Sequence, residues 1–359
     1  MMNQELINAF KNKDVETVKS LLASGIDLNY RASGTATYLE YAWGYYREYD
    51  FTIVKLLIEY GAEINHPSFP SIICASGRGR IEEIQYVLDR GADINAISHV
   101  GTSALWKAAY DGLIDEIKFL LRSGLDIDKH GGHALQIAAS RGKIEIVRLL
   151  AEEGADINYQ VFDKHPDKTN TPLHNAALYG HLQITCFLLE KGADPTLKNH
   201  YGYRAFSIAK SQKNKEIMDL IASYEPKELH DLDNKITELK RSGLPSAIIK
   251  ELGEERKRVE LPGSKYMDFI EFCSIMDVTE MEFEGIRLIN LLFDVDAYDS
   301  LGFLVWIPSK KALGSYDVEH QNLNILHDAD WKKFNKSPSV FIDRILDGEY
   351  EIDEAYGIE

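Results

Sequence analysis

Thr171-Pro172-Leu173-His174-Asn175-Ala176-Ala177-Leu178-Tyr179-Gly180-His181, followed by Leu188-Leu189 and Gly192-Ala193-Asp194, decides how most of the chain folds. Thr171 stands where a helix N-cap belongs, and Pro172 sits in the first turn, where its missing N–H is no loss. Ala176 and Ala177 are small enough for neighbouring helices to approach closely. Gly180-His181 opens a second helix, and Gly192 can take the left-handed conformation that ends it without a Cβ clash. Two further segments match the first helix: Ala104-Leu105-Trp106-Lys107-Ala108-Ala109 and Ala134-Leu135-Gln136-Ile137-Ala138-Ala139.

The second half of the pattern recurs along the N-terminal part of the chain. Two apolar residues closed by a glycine appear as Leu21-Leu22 to Gly25, Leu56-Leu57 to Gly61, and Val87-Leu88 to Gly91. They return as Leu120-Leu121 to Gly124, Leu149-Leu150 to Gly154, and Leu188-Leu189 to Gly192. The glycines are 36, 30, 33, 30 and 38 residues apart. In Ile144-Glu145-Ile146-Val147-Arg148-Leu149-Leu150 the apolar residues fall at helical spacing, and Ala155-Asp156-Ile157-Asn158 then turns the chain outward. This resembles the ankyrin repeat, whose period is about 33 residues.

The repeats delimit units at about 3–30, 34–65, 67–95, 99–128, 131–158, 169–197 and 201–224. Units at the two ends are atypical, as terminal repeats covering an exposed core should be. The expected fold class is mainly α: an ankyrin-repeat solenoid of about seven units over residues 1–225, then a smaller α+β domain over 226–359. Three departures are visible: extra residues within Tyr45 to Asp50, Phe69-Pro70-Ser71-Ile72 in place of Thr-Pro-Leu-His, and a long turn from Gln160 to Lys168.

The resemblance implies a concave binding surface made of turn tips and inner-helix ends. By register these positions hold Tyr45 and Tyr46, Arg78, Tyr110 and Asp111, Arg141, and Tyr179. Trp106 takes the place that His174 has in the sixth unit, and Tyr203 lies on the last turn. Tyr, Trp and Arg dominate binding hot spots because they bury large area with few rotors. The row is therefore the candidate partner-binding face; the alternative is that several of these side chains pack against neighbouring turns.

Beyond residue 225 the pattern changes. Leu232 to Leu239 reads as a helix, and Leu244-Pro245 begins another through Leu252. Lys257 to Leu261, Tyr266 to Met276, Met281 to Leu292 and Gly302 to Pro308 read as strands, followed by Ala312 to Val318 and Asn324 to His327. Pro338 to Leu346 reads as a closing helix. Residues 244–350 resemble the SUKH superfamily, whose bacterial members are mostly immunity proteins that neutralise secreted toxins. The resemblance rests on Val305-Trp306-Ile307-Pro308, Ala312-Leu313-Gly314-Ser315-Tyr316-Asp317, His327 to Trp331, and Phe341-Ile342-Asp343-Arg344-Ile345-Leu346. The family's usual Asn-Gly-Gly after the first helix is absent.

Charge and motifs narrow the function. The net charge is −17, of which −12 falls on residues 226–359. Such a field repels phosphate backbones and steers in a basic protein, so nucleic acid is not an expected partner. No apolar run is long enough for a membrane span, and no signal-peptide block opens the chain. Three scattered cysteines, Cys74, Cys186 and Cys273, fit a reducing cytoplasm and no disulfide framework. His174 and His181 occupy ordinary repeat positions, and no two histidines lie at zinc-ligand spacing. Asp294 to Asp299 lacks the central glycine of a calcium loop. No cofactor or metal is expected, and no nucleophile with its base is visible in residues 226–359.

The leading functional reading is a non-catalytic, cytoplasmic binding protein of the toxin-immunity type, which occludes a basic toxin such as a nuclease. The second reading is an ankyrin scaffold that links two protein partners. The third makes the C-terminal module an enzyme served by the repeats.

Overall fold

The computed structural model describes residues 3–30, 36–44, 49–161, 169–295, 302–317 and 320–350. Helix accounts for 49% of the described residues and strand for 11%, so the protein is mainly α with a sheet-bearing C-terminal region. Two compact units divide it, Met1–Tyr159 and Gln160–Glu359.

The first unit is built from helix pairs. These are α1 (Gln4–Asn12) with α2 (Val15–Ala23), α3 (Tyr38–Ala42) with α4 (Phe51–Glu59), and α5 (Ser71–Ser76) with α6 (Ile81–Leu88). They continue as α7 (Ala104–Asp111) with α8 (Ile114–Arg122), and α9 (Ile127–Ser140) with α10 (Ile144–Glu152). The inner helices α5, α7 and α9 pack side by side, and the outer helix α6 packs on α8. Leu105, Ala108, Ala109, Ala134, Leu135, Ala138 and Ala139 are wholly buried where the inner helices meet. Alanine is what permits this approach, since a larger side chain would force the helix axes apart.

Asparagines stitch the pairs together at the outward turns. Asn29 donates through Nδ2 to the carbonyl of Gly61 at 3.2 Å and accepts from the N–H of Glu63 at 2.8 Å. Asn65 repeats the arrangement on Gly91 and Asp93, both at 2.9 Å. Asn95 accepts from the N–H of Asp126, again at 2.9 Å. Asn29, Asn65 and Asn95 thus satisfy backbone groups of the following turn.

Helix α9 begins earlier than the unit boundary at residue 131 implies. Asp126 caps it by accepting from the N–H of Lys129 at 3.2 Å, and the helix then runs through Gly131 and Gly132. Glycine inside a helix is unfavourable by roughly 1 kcal/mol. Here it is required by packing, because a Cβ on Gly132 would lie 2.2 Å from the Tyr159 ring.

The second unit opens with two further pairs, α11 (Pro172–Leu178) with α12 (Leu182–Glu190) and α13 (Ala205–Ser211) with α14 (Lys215–Tyr224). Helices α15 (Leu232–Arg241) and α16 (Ser246–Leu252) follow. Then come strands β1 (Lys257–Glu260), β2 (Phe269–Phe272), β3 (Thr279–Phe283), β4 (Ile286–Asn290) and β5 (Leu292–Val295). Strands β6 (Phe303–Ile307), β7 (Ala312–Asp317) and β8 (Asn322–Ile325) precede α17 (Trp331–Lys336) and α18 (Pro338–Leu346). The strands form two antiparallel sheets, ordered β1-β2-β5 and β3-β4-β6-β7-β8.

Two strand expectations need correction. Met281 to Leu292 is not one strand: Glu284 and Gly285 take φ of 49° and 78° and fold it into the β3–β4 hairpin. Positive φ at both central residues is the turn whose twist matches the flanking strands. Tyr266 to Met276 shortens to β2, because Ile275–Asp277 turns into a 3-10 helix in which Ser274 Oγ donates to Asp277 at 2.8 Å.

The five-stranded sheet is apolar on both faces. One face gives Ile289, Leu304, Trp306 and Leu313 to a core shared with Ile248, Phe334 and Ile342 of the helices. The other gathers Met281, Leu288, Val305, Ile307, Tyr316, Leu323 and Ile325, with Tyr201 packed against them. That is why Gly302 to Pro308 reads as a nearly unbroken apolar run instead of an alternation.

The division expected near residue 225 lies inside this second unit. Lys210 Nζ is 2.8 Å from Asp277, and Asn290 Nδ2 donates to the Tyr203 hydroxyl at 3.4 Å. The Tyr201 and Phe303 ring centroids are 5.6 Å apart. Glu225, at the foot of α14, is buried with Arg204 Nε at 3.6 Å and His230 Nε2 at 2.8 Å.

His174 ties the sixth and seventh pairs together. Its Nδ1 accepts from the Thr171 N–H at 3.2 Å, and its Nε2 lies 2.9 Å from the carbonyl of Tyr203, to which it donates. Burial disfavours the imidazolium and lowers the pKa from 6.5 to about 4. The unfolded chain therefore takes up a proton near pH 6.5 that the folded chain refuses until about pH 4. The stability held in neutral His174 is fully present above pH 6.5 and is lost as pH falls through that window. The His174 contribution lowers the melting temperature of the second unit between pH 6.5 and 4, against the opposite contribution of Glu225, whose carboxyl is raised by burial to about 7. The His174 contribution should be missing in His174→Gln; equal slopes in the two proteins would sink this account.

Candidate functional site

Half-buried aromatic rings form a connected strip on the first unit. Ser103 caps α7 by accepting from the N–H of Trp106, which places Trp106 in the first helical turn with its ring only partly buried. The helical repeat brings Tyr110, four residues on, to the same side. The two rings stack, with centroids 5.2 Å apart and planes at 19°. On the other side of Trp106 lies His133 of α9, at 5.8 Å, and beyond it Tyr159, at 6.4 Å. Gly132 leaves the space that Tyr159 occupies.

Cations frame the strip at the Tyr110 end. The Arg141 guanidinium lies 4.5 Å from the Tyr110 ring centroid and Lys107 Nζ lies 5.4 Å from it. Lys107 is also held by Asp111 at 2.6 Å. Such cation–ring contacts fix ring orientation at about 0.5–1 kcal/mol each where they are exposed. The result is a preset, largely apolar surface rimmed by charge. Rigid aromatic area of this kind binds protein with little loss of rotamer entropy.

The sequence-predicted positions divide. Trp106, Tyr110, Asp111 and Arg141 come together in the strip. Arg78 lies elsewhere in the first unit, donating to the Trp43 carbonyl with its guanidinium 4.3 Å over the Tyr49 ring. Tyr45 and Tyr46 lie outside the described residues. Tyr179 belongs to the second unit, where it is 58% exposed and stacked beside His181. Tyr203 is not an exposed tip residue: its hydroxyl faces Asn290, and burial pushes its pKa well up. His133 and Tyr159 were missed. The signal for both was present, since His133 directly precedes the segment Ala134 to Ala139 that matches Ala104 to Ala109, and Tyr159 follows the closing Asn158.

Comparison with known proteins bears on the same stretch. Residues 71–161 match the family described as ankyrin repeats (3 copies), and residues 135–189 match ankyrin repeats (many copies). Residues 71–189 are ankyrin repeats. Ankyrin repeats imply protein–protein interaction, and the whole strip falls within the matched residues. The ankyrin repeat and KH domain-containing protein mask-1 of Caenorhabditis elegans is 30% identical over 175 residues, 48% of this chain and 6% of that protein. Alpha-latrocrustotoxin-Lt1a of Latrodectus tredecimguttatus is 30% identical over 134 residues, 36% of this chain and 9% of the toxin. The putative palmitoyltransferase ZDHHC13 of Danio rerio is 32% identical over 145 residues, 38% of this chain and 22% of that protein. The chain thus spans less than a quarter of the length of each. Enzymes among the relatives match only at their repeats, so their activities do not transfer. Among the described residues no helix is long and apolar enough to cross a membrane.

Proposed function

We propose that the chain is a non-catalytic protein-binding protein of the toxin-immunity type, acting in the cytoplasm by covering the working surface of a basic toxin. The observation that carries the binding role is the strip Tyr159–His133–Trp106–Tyr110–Arg141, a preset aromatic surface on repeats of a protein-binding kind. The −12 charge of residues 226–359 supports a basic partner, since opposite fields raise the association rate. The SUKH-like order of elements in residues 244–350 supports the immunity setting. A non-catalytic role is supported by the thiols of Cys74 and Cys273, whose burial pushes their pKa well above the usual range and leaves them poor nucleophiles. The second reading is a scaffold linking two proteins; it is favoured by the presence of both an aromatic strip and an acidic sheet-bearing region on one chain.

Capture of a partner by pull-down on this chain, then its expression alone and with this chain, tests the choice. An immunity protein should restore growth to cells that the partner alone arrests, in one-to-one complex with it. A partner that binds but does no harm when expressed alone would overturn the immunity reading and leave the scaffold.

A further inference from the structure

The acidic second unit contains a basic cleft. It has a volume of about 440 Å³, and its walls carry Lys198, Arg204, Lys235, Arg241 and Arg287, with Thr279 also lining it. These residues come from the turn before Tyr201, the start of α13, helix α15, and strands β3 and β4. The folded unit therefore assembles five cations that are dispersed over almost ninety residues of sequence.

The acids around the cleft leave part of this charge unanswered. Arg204 is held by the buried Glu225 at 3.6 Å, and Arg287 Nε lies 3.7 Å from Glu280. Lys198 and Lys235 share one carboxylate, that of Glu238, at 4.0 and 3.4 Å. Arg241 makes no ion pair among the described residues, and the other acid on the wall is Glu228. Lys235 has only 15% of its side chain exposed, and burial lowers the pKa of its ammonium. A half-paired, desolvated ammonium gains from a further anion.

Thr279 gives the independent indication. It is 7% exposed, and its Oγ1 has no hydrogen-bond partner. The oxygen is covered in the unliganded cleft, and its missing hydrogen bond is one that an anion oxygen pressing against this wall would supply.

We propose that this cleft binds a small phosphate-bearing anion. Three elements offer guanidinium forks, Arg241 has no carboxylate among the described residues, and Lys198 and Lys235 divide one between them, so the cluster is short of acceptor oxygens that a phosphoryl group or pyrophosphate supplies. The volume suits a small molecule. Among the described residues no aromatic side chain lines the cleft, so a nucleobase would find no stacking platform. A nucleic-acid strand would meet the −17 field of the whole chain, whereas a small ion responds mainly to charges within about a Debye length of roughly 8 Å.

Calorimetric titration of the whole chain with pyrophosphate at physiological salt tests the site. The expected result is saturable one-to-one binding. It should weaken tenfold or more in Arg241→Ala, whose exposed and unpaired side chain is dispensable for folding, and should be unchanged in Arg122→Ala, an exposed arginine of the first unit. Thr279→Val keeps the shape and removes the unpaired hydroxyl. It should weaken pyrophosphate binding severalfold while the ligand-free melting temperature holds or rises. No heat of binding would overturn the proposal. So would equal losses in Arg241→Ala and Arg122→Ala, or unchanged affinity in both Arg241→Ala and Thr279→Val.

Discussion

Gly202→Ala should destabilise the second unit by roughly 2–5 kcal/mol, while the same change at Gly91 destabilises the first by only about 1–2 kcal/mol. Both glycines sit in the left-handed region, with φ of 75° and 85°. An L-residue there brings its Cβ against its own carbonyl at either site. The difference is what surrounds the added carbon. At Gly91 nothing lies within 4 Å, whereas at Gly202 a Cβ would stand 2.3 Å from the carbonyl oxygen of Glu280 in β3. Backbone in a paired strand cannot swing away as a side-chain tip can, so the turn or the strand must shift. The seam has little slack, because Tyr201 on one side packs on Phe303 and Tyr203 on the other meets Asn290. Urea unfolding read by tryptophan emission separates the two cases, since Trp306 and Trp331 report on the second unit and Trp43 and Trp106 on the first. Equal losses at the two positions would mean that the 201–203 turn does not seat against β3. The same substitution should also weaken pyrophosphate binding, because Gly202 lines the basic cleft.

Much of this arrangement was legible in the sequence, for a physical reason. A helix end that needs a left-handed residue leaves glycine at a fixed phase, so Gly25 to Gly192 mark the outer helices directly. Thr171 and Pro172 mark a helix start just as locally, and α18 begins at Pro338 with the proline in its first turn as read. The misreadings came where packing overrules local preference. The unit boundary drawn at 131 falls inside α9, where Gly131 and Gly132 are glycine because Ala155 and Tyr159 leave no room for side chains. The run from Met281 to Leu292 looks like one strand because both faces of the sheet are covered, which hides the turn at Glu284-Gly285. Site legibility follows the same line. Trp106, Tyr110 and Arg141 could be placed by register because the repeats translate one position onto the next. Tyr203 obeys that register too, but a neighbour outside the repeats, Asn290, covers its hydroxyl. The basic cleft has no periodic signature at all, since Lys198 and Arg287 meet only through the fold of the second unit.

Trp106→Ala should weaken partner binding by about 2 kcal/mol or more, roughly thirtyfold, with a much smaller effect on folding. The indole stands mid-strip, touching Tyr110 on one side and His133 on the other, so its removal leaves both rings without their central contact. A wholly buried residue behaves differently: Leu105, next to it in α7, is 0% exposed, and its truncation to Ala should cost roughly 2–5 kcal/mol of stability. Trp106 is only partly buried, and its stacking contributes about 0.5–1.5 kcal/mol beyond area burial. The ratio of the two losses therefore discriminates. Titration of the captured partner into wild type, Trp106→Ala and Tyr179→Ala, with melts of each, gives both numbers. A large loss of affinity for Trp106→Ala with a nearly unchanged melt would place the hot spot on the strip. If Tyr179→Ala weakens binding and Trp106→Ala does not, the binding surface lies on the second unit. Unchanged affinity in both, with unchanged melts, would leave the strip as solvated surface and turn attention to the acidic residues beyond 225.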